Sequence, residues 1–158
     1  MDGGKTVSVL GIRCSNSDYT FAVMTGTKES PRLVDNKTLP YPKGFSKPES
    51  LNWLLKEIEG LIAKYSIEKI VMNRFEGNRR VKTYEDRLEH EAMIYLAAFN
   101  QRVKSSSKKV KSSIAKDLGL KGRAHYLNTS LDTSLVKDFD HKSPKSKDAI
   151  LAGWSELT

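Results

Sequence analysis

The sequence predicts one α/β domain built around a mixed five-stranded sheet. Three stretches of strand-forming residues follow one another within the first 40 positions, and an amphipathic helix with a short apolar strand comes next. A second helix, a fifth strand and two more helices then follow. An antiparallel meander of three strands followed by alternating helices and strands is typical of a mixed sheet with helices packed on its faces. The 158 residues, 38% of them apolar, suit a single domain spanning 1–158.

The first three strands are predicted from β-branched and apolar residues that lie between turn signals. Residues 6–14 are apolar enough for a central strand, and residues 19–25 follow after the polar turn Ser-Asn-Ser-Asp. This spacing predicts a hairpin. Residues 32–39 supply a third, more polar strand, which precedes a proline-containing connection.

The clearest helix spans residues 49–65, where apolar residues recur at helical spacing and Ser46 or Ser50 can cap the start. Residues 67–75 form a short apolar run directly after it. Such a run is typical of a buried parallel strand that closes a right-handed crossover. Residues 83–99 then predict a second helix with one apolar face.

The C-terminal part has weaker patterns. Residues 102–105 predict a short strand, and residues 107–118 predict a basic helix. Residues 119–143 have little periodicity. Pro144 then begins a closing helix, which we expect to run to Leu157, because proline suits the first turn of a helix.

The net charge of +8 is concentrated in residues 102–123, which contain eight basic residues and a single acid, Asp117. A concentrated positive segment attracts polyanions, and the release of counterions from phosphates drives their binding. We therefore predict DNA or RNA as a partner, although a lysine-rich segment that only aids solubility has the same composition. The candidate contacts in this segment are Lys104, Lys108, Lys109, Lys111, Lys116, Lys121 and Arg123. A second candidate set follows the fourth strand and comprises Arg74, Arg79 and Arg80.

Three local motifs resemble those of the RuvC branch of the RNase H-like superfamily, which includes Holliday-junction resolvases and uncharacterised bacterial relatives. Leu10-Gly11-Ile12-Arg13 ends the first strand, where that branch has a Gly-Ile-Asp type motif. Ile70-Val71-Met72-Asn73 ends the fourth strand, where the branch usually has a glutamate. Lys147-Asp148-Ala149-Ile150-Leu151-Ala152-Gly153 matches the start of its closing helix. The order of the predicted elements is similar as well, so the resemblance covers nearly the whole chain.

The resemblance implies a fold whose carboxylates hold two divalent ions for phosphodiester hydrolysis. Here Arg13 stands in place of the aspartate and Asn73 in place of the glutamate, so Asp148 is the one carboxylate left in register. Magnesium requires hard oxygen ligands, which three or four carboxylates normally supply. We therefore predict a vestigial, inactive centre that uses no metal or other cofactor.

A metal-dependent nuclease with relocated ligands is the alternative. Glu76, three residues beyond Asn73, or Asp18 in the first turn would then be a displaced ligand for Mg²⁺ or Mn²⁺, and His141 would be a fourth. A shift of two residues or more off a strand end moves a side chain by several ångströms, which argues against this alternative.

Arg13 has two opposed predictions. In the RuvC-like alignment it points into the former active-site cleft towards Asp148, because a guanidinium fork suits a carboxylate. Alternatively it extends to solvent and contacts a phosphate or nothing.

The leading hypothesis for function is a nucleic-acid-binding domain without catalytic activity. A third hypothesis, beside the nuclease, is a protein-interaction adaptor within a larger complex. A protein partner or a homo-oligomer is accordingly a further expectation. The single cysteine, Cys14, excludes a disulfide framework and is expected to be a small buried residue. No secretion signal and no apolar run near the roughly 20 residues of a membrane span are present, which predicts a cytoplasmic protein without membrane contact.

Overall fold

The computed structural model describes residues 7–74, 82–120, 127 and 130–158, with the backbone alone for 82 and 83. Five strands form one sheet in the order β3-β2-β1-β4-β5. The pairs β1–β2 and β2–β3 are antiparallel, and the pairs β1–β4 and β4–β5 are parallel. The predicted mixed five-stranded sheet is therefore confirmed. The strands are β1 (Val9–Cys14), β2 (Asp18–Gly26), β3 (Pro31–Pro40), β4 (Lys69–Asn73) and β5 (Ser105–Lys109).

Helices cover both faces of the sheet. One apolar cluster joins alternate residues of β1 and β2 to the first two helices, and the other joins the intervening residues to the last two. The chain is thus a three-layer α/β/α structure with a core on each side of the sheet. Within the described ranges, no helix has the length and apolar character that crossing a membrane requires. The helices are α1 (Lys47–Tyr65), α2 (Lys82–Asn100), α3 (Lys111–Asp117) and α4 (Pro144–Trp154).

Helix α1 begins with a complete capping box. The Ser46 hydroxyl accepts from the backbone N–H of Glu49 at 3.3 Å, and the Glu49 carboxylate accepts from the Ser46 N–H at 2.9 Å. Two of the unpaired donors at this helix start are thereby satisfied. Of the two predicted caps, Ser46 is the one used.

Helix α4 lies unusually close to β1 because both elements have glycine at the crossing. A Cβ atom on Gly11 would lie 2.0 Å from the carbonyl oxygen of Ala149, and one on Gly153 would lie 2.9 Å from the side chain of Met24. The contact sets the height at which α4 crosses β1. Asp148, the neighbour of Ala149, is consequently held over the end of that strand.

Three elements differ from the sequence prediction, one of which is the closing helix, since α4 ends at Trp154 and not at Leu157. The fifth strand is Ser105–Lys109, not 102–105, because Arg102 adopts a left-handed turn (φ 57°) and the polar residues after it pair with β4. An edge strand tolerates such polar residues because tertiary pairing outweighs local propensity. The basic helix is correspondingly shorter than the predicted 107–118, since Val110 is extended and α3 begins at Lys111.

Candidate functional site

The parallel strands β1 and β4 end side by side. Ile12 pairs in register with Met72, so the next residues, Arg13 and Asn73, are neighbours at the carboxyl edge of the sheet. Both belong to the face that α4 covers, because side chains alternate along a strand and Val71 packs in the α4 core. The two strand ends named by the resemblance are therefore brought together.

Arg13 and Asp148 form an ion pair. The Arg13 Nε lies 3.3 Å from one oxygen of Asp148, and the Lys111 Nζ lies 4.0 Å from the other oxygen. The side chains of Arg13 and Asp148 are 26% and 17% exposed. Of the two opposed predictions for Arg13, the one towards Asp148 is confirmed. One carboxylate is thus shared between two cations.

These residues line an open cleft of about 550 Å³, here called the Arg13 cleft. Its charged wall consists of Arg13, Lys111, Lys147, Asp140 and Asp148, and much of the remaining lining is apolar. Cations exceed carboxylates by one in this set. The cleft is therefore a concave, weakly positive site at the edge where ligands approach open α/β sheets.

Asn73 contacts a buried cluster of charged side chains through its backbone carbonyl. Asn73 is 4% exposed, and its backbone carbonyl accepts a hydrogen bond from the guanidinium of Arg87 in α2. Arg87 in turn pairs with Glu91 at 3.3 Å, and Glu91 pairs with Lys108 of β5 at 2.9 Å. The cluster anchors the end of β4 to α2 and β5. Arg87 and Glu91 were not among the residues predicted from the sequence, although their i, i+4 spacing on a helix indicates an ion pair.

Two of the candidate phosphate contacts are engaged with carboxylates. Lys108 is 23% exposed and holds Glu91, while Lys109 is 11% exposed and holds Asp117 at 2.7 Å and also Glu156. Burying a paired lysine leaves little of its charge for a ligand. The geometry assigns these two residues to the packing of β5 against its neighbours.

The other basic candidates are more accessible. Lys104 is 77% exposed at 3.5 Å from Glu68, and Lys116 and Arg74 are also exposed. Arg74 directly follows β4, and Lys111 begins the helix after β5, so both lie at the same edge as Arg13. Other predicted residues lie outside the described part of the chain, namely Glu76, Arg79, Arg80, Lys121 and Arg123.

The described side chains do not fit a divalent metal. Asp18, one of the displaced ligands considered, is 2.9 Å from Lys145, and His141 is exposed in a 3₁₀ turn, Phe139–His141. No three His, Cys, Asp or Glu side chains within the described ranges are grouped to share an ion. Asp148, already beside two cations, is a poor ligand for a third because like charges in one site repel.

A second group of titratable residues lies on the opposite face, behind β1. Burial raises the pKa of the Cys14 thiol to about 12, so it stays protonated and matches the predicted small buried residue. His90 of α2 is buried with Nδ1 2.7 Å from the Asp86 carbonyl and Nε2 3.3 Å from the Ser50 hydroxyl. Burial lowers the pKa of His90, and nearby Lys47 adds to this effect. His90 is therefore neutral near pH 7.

The strand order, the helix across β1 and the cleft at the strand ends define the RNase H-like fold of the RuvC type. RuvC of Thermus thermophilus has a TM-score of 0.75 with 12% identity, covering 94% of this chain and 92% of that one. The T. thermophilus RuvC structure in complex with a Holliday junction substrate has a TM-score of 0.73 with 12% identity, covering 94% of this chain and 91% of that one. The yeast mitochondrial Holliday junction resolvase has a TM-score of 0.62 with 11% identity, covering 94% of this chain and 77% of that one. The predicted fold is thus confirmed. No protein-family model and no curated protein matches the sequence.

Proposed function

We propose that this chain is a single-domain nucleic-acid-binding protein in which a nuclease-type centre has become a metal-free phosphate site. The observation that carries this proposal is the Arg13–Asp148 pair with Lys111 beside it, at the carboxyl edge of β1 and β4. A guanidinium and an ammonium supply positive charge where a phosphodiester would otherwise need bound cations. We also propose that the protein is located in the cytoplasm.

The charge distribution at this edge supports the assignment. Arg13 and Lys111 line the same cleft, so one phosphate group can contact both, whereas Arg74 lies at the same edge in a separate pocket with Glu91 and Lys108. Arginine and lysine bind phosphate oxygens through charge-assisted hydrogen bonds. Asp148 has the complementary role of orienting Arg13, which is a positioning role and needs no bound ion.

Catalysis is not part of the proposal. Two-ion hydrolysis requires several oxygen ligands around each ion, and the described residues bring only two carboxylates to the cleft, Asp140 and Asp148, of which Asp148 is already beside two cations. The chain would then hold a strand without cutting it.

A four-way DNA junction is the first ligand to test, because one of the similar structures carries a Holliday junction. We would measure fluorescence anisotropy with a labelled junction, a duplex and a single strand, in EDTA and in Mg²⁺, over a salt series. We expect binding in EDTA that Mg²⁺ does not strengthen, with affinity falling steeply as salt rises. The loss of all binding in EDTA would contradict the proposal.

Variants sharpen the binding test. Arg13→Gln should lower the affinity by about 10-fold, because a charge-assisted contact is lost, and Lys111→Gln should reduce the log-log salt slope by up to about 0.9. Lys56→Gln is the matched control, since Lys56 is an exposed lysine on the outer side of α1. Lys109→Gln should lower the melting temperature and leave the slope unchanged, because Lys109 is paired internally.

A nuclease assay separates this proposal from the relocated-ligand alternative. The protein with Mg²⁺ or Mn²⁺ should leave all three substrates intact. Cleavage that Asp148→Ala abolishes would reject the inactive site, and its loss in Glu76→Ala as well would support a nuclease with a relocated ligand.

Self-association is the second candidate, and the outer face of α2 favours it. Leu88, Tyr95, Leu96 and Phe99 are 38%, 39%, 41% and 80% exposed and recur at helical spacing. Exposed acids lie near the start of α2, and Arg102 and Lys104 lie beyond its end, so two antiparallel copies would have complementary charges. We propose a second copy of this chain as the occupant. Sedimentation equilibrium should show a dimer that Leu96→Glu dissociates, and a monomeric wild type would exclude it.

A further inference from the structure

A second concave site adjoins the Arg13 cleft at the same edge of the sheet. It has a volume of about 430 Å³ and lies between the β1–β2 turn, the loop at residues 41–46 and the starts of α1 and α2. We call it the Tyr41 groove. The Asp18–Lys145 ion pair lies between the two sites, since Asp18 lines the groove and Lys145 is flanked by Pro144 and Lys147 of the Arg13 cleft.

The Tyr41 groove has aromatic walls held in a fixed arrangement. The rings of Tyr41 and His90 are stacked with centroids 4.2 Å apart and planes 10° apart. Trp53 packs edge-on against Tyr41 at 6.1 Å. Phe45, in the loop at residues 41–46, is 45% exposed and lines the same groove. Phe45 and the stacked Tyr41 and His90 rings therefore line one groove, in which the exposed ring of Phe45 is open to a ligand.

Charged groups surround these rings. Lys43 is exposed in the loop, and Lys47 is 39% exposed while it holds Asp86 at 2.7 Å and Glu89 at 3.0 Å. The carboxylates in the lining, Asp18 and Asp86, are each paired with a lysine, so Lys43 is the cation placed to contact a phosphate. Aromatic rings with a nearby cation are typical of sites that stack the bases of single strands and contact their phosphates. A lipid chain would instead need a deeper, mainly apolar cavity.

We propose that the Tyr41 groove binds an unpaired nucleobase, stacked on Phe45, in a strand whose backbone lies in the adjoining Arg13 cleft. This inference rests on the proposed function and extends it, since it specifies nucleic acid with unpaired bases.

The test compares a duplex containing one unpaired 2-aminopurine with the fully paired duplex of the same sequence. Wild type should bind the unpaired form more tightly, with 2-aminopurine fluorescence quenched on stacking. Phe45→Ala should weaken binding of the unpaired form by about 5- to 30-fold and leave the paired duplex unaffected. Phe45→Trp should retain the preference, because any large aromatic ring can stack. Val34→Ala is the matched control, since Val34 is an exposed apolar residue on β3 outside the groove.

The outcomes distinguish the two proposals. Wild type that binds both duplexes equally, or Phe45→Ala that loses both equally, would overturn the base site and leave nucleic-acid binding standing. Wild type that binds neither, nor any junction, would overturn the proposed function itself. Phe45→Ala should keep the wild-type melting temperature, because the side chain is half exposed on a loop.

Discussion

The Arg13 guanidinium lies 3.3 Å from the Asp148 carboxylate, across the contact between the end of β1 and the first half of α4. The pair joins positions 135 residues apart in the chain, and both partners are only partly exposed. Lys111 is the second cation beside the same carboxylate. Four further experiments test the strength of this ion pair, metal binding by introduced carboxylates, the contact at Gly11 and the effect of His90 on stability.

The strength of this pair is measurable by a double-mutant cycle. We expect Arg13→Ala and Asp148→Ala to show a coupling of about 0.5–1 kcal/mol in urea unfolding, since the pair is partly solvated. The control cycle uses Lys104 and Glu68, whose lysine is 77% exposed, and should give a coupling close to zero. Equal couplings in the two cycles would contradict a specific Arg13–Asp148 interaction.

Restoring carboxylates should restore metal binding. The double change Arg13→Asp with Asn73→Glu places two carboxylates on adjacent strand ends near Asp148, a set of oxygen ligands that suits Mn²⁺ or Mg²⁺. Calorimetry should detect Mn²⁺ binding by this variant and none by wild type. The control Arg13→Asp with Asn73→Gln has one carboxylate fewer and should bind at least 10-fold more weakly. Identical behaviour of the two variants would reject the alignment of Asn73 with a ligand position.

The glycine contact beneath the site should be essential. A Cβ on Gly11 would meet the Ala149 carbonyl at 2.0 Å, so Gly11→Ala forces α4 away from β1 and should cost about 3 kcal/mol or more of unfolding free energy. Gly60→Ala is the control, because Gly60 lies within α1 with no atom near the added Cβ. That variant should gain up to about 1 kcal/mol, since alanine favours helix. A tolerated Gly11→Ala would show that the helix does not depend on this approach.

His90 should make stability depend on pH. Burial, aided by Lys47, lowers its pKa below the ordinary value near 6.5, although Asp86 and Glu89 of α2 oppose the shift. The unfolded chain therefore binds a proton more readily. Stability is fully present above about pH 6.5 and falls as the pH drops towards the folded-state pKa. The difference in melting temperature between pH 7.5 and pH 5.5 should shrink in His90→Phe, which keeps a ring against Tyr41. An unchanged difference would assign the pH dependence to other groups.

Several parts of the site were predictable from the sequence because their signals are local. The Gly11-Ile12-Arg13 and Asp148-Ala149 segments each carry their own pattern, and the parallel β1–β4 arrangement then brings Arg13 and Asp148 to one edge. The burial of Lys108 and Lys109 in ion pairs was not predictable from local signals. Their carboxylate partners, Glu91 and Glu156, come from distant segments, so composition alone counted both lysines as accessible charge.

The Tyr41 groove was also invisible in the sequence. Tyr41, His90 and Phe45 come from a loop and a helix whose patterns predict only a turn and an apolar face. Stacking of Tyr41 on His90 depends on how α2 packs beside α1, which is a matter of tertiary contact.

The sequence by itself determined the strand and helix order, the position of Arg13 and Asn73 at the ends of their strands, and the excess of positive charge. These features are read from residue type and short-range periodicity, which the chain carries in every conformation. The tertiary structure alone decided where β5 pairs, which lysines are neutralised by carboxylates, and which rings form the Tyr41 groove. The reason is that pairing and burial depend on distances between segments far apart in the chain, and those distances exist only after the sheet and its two helical layers have packed.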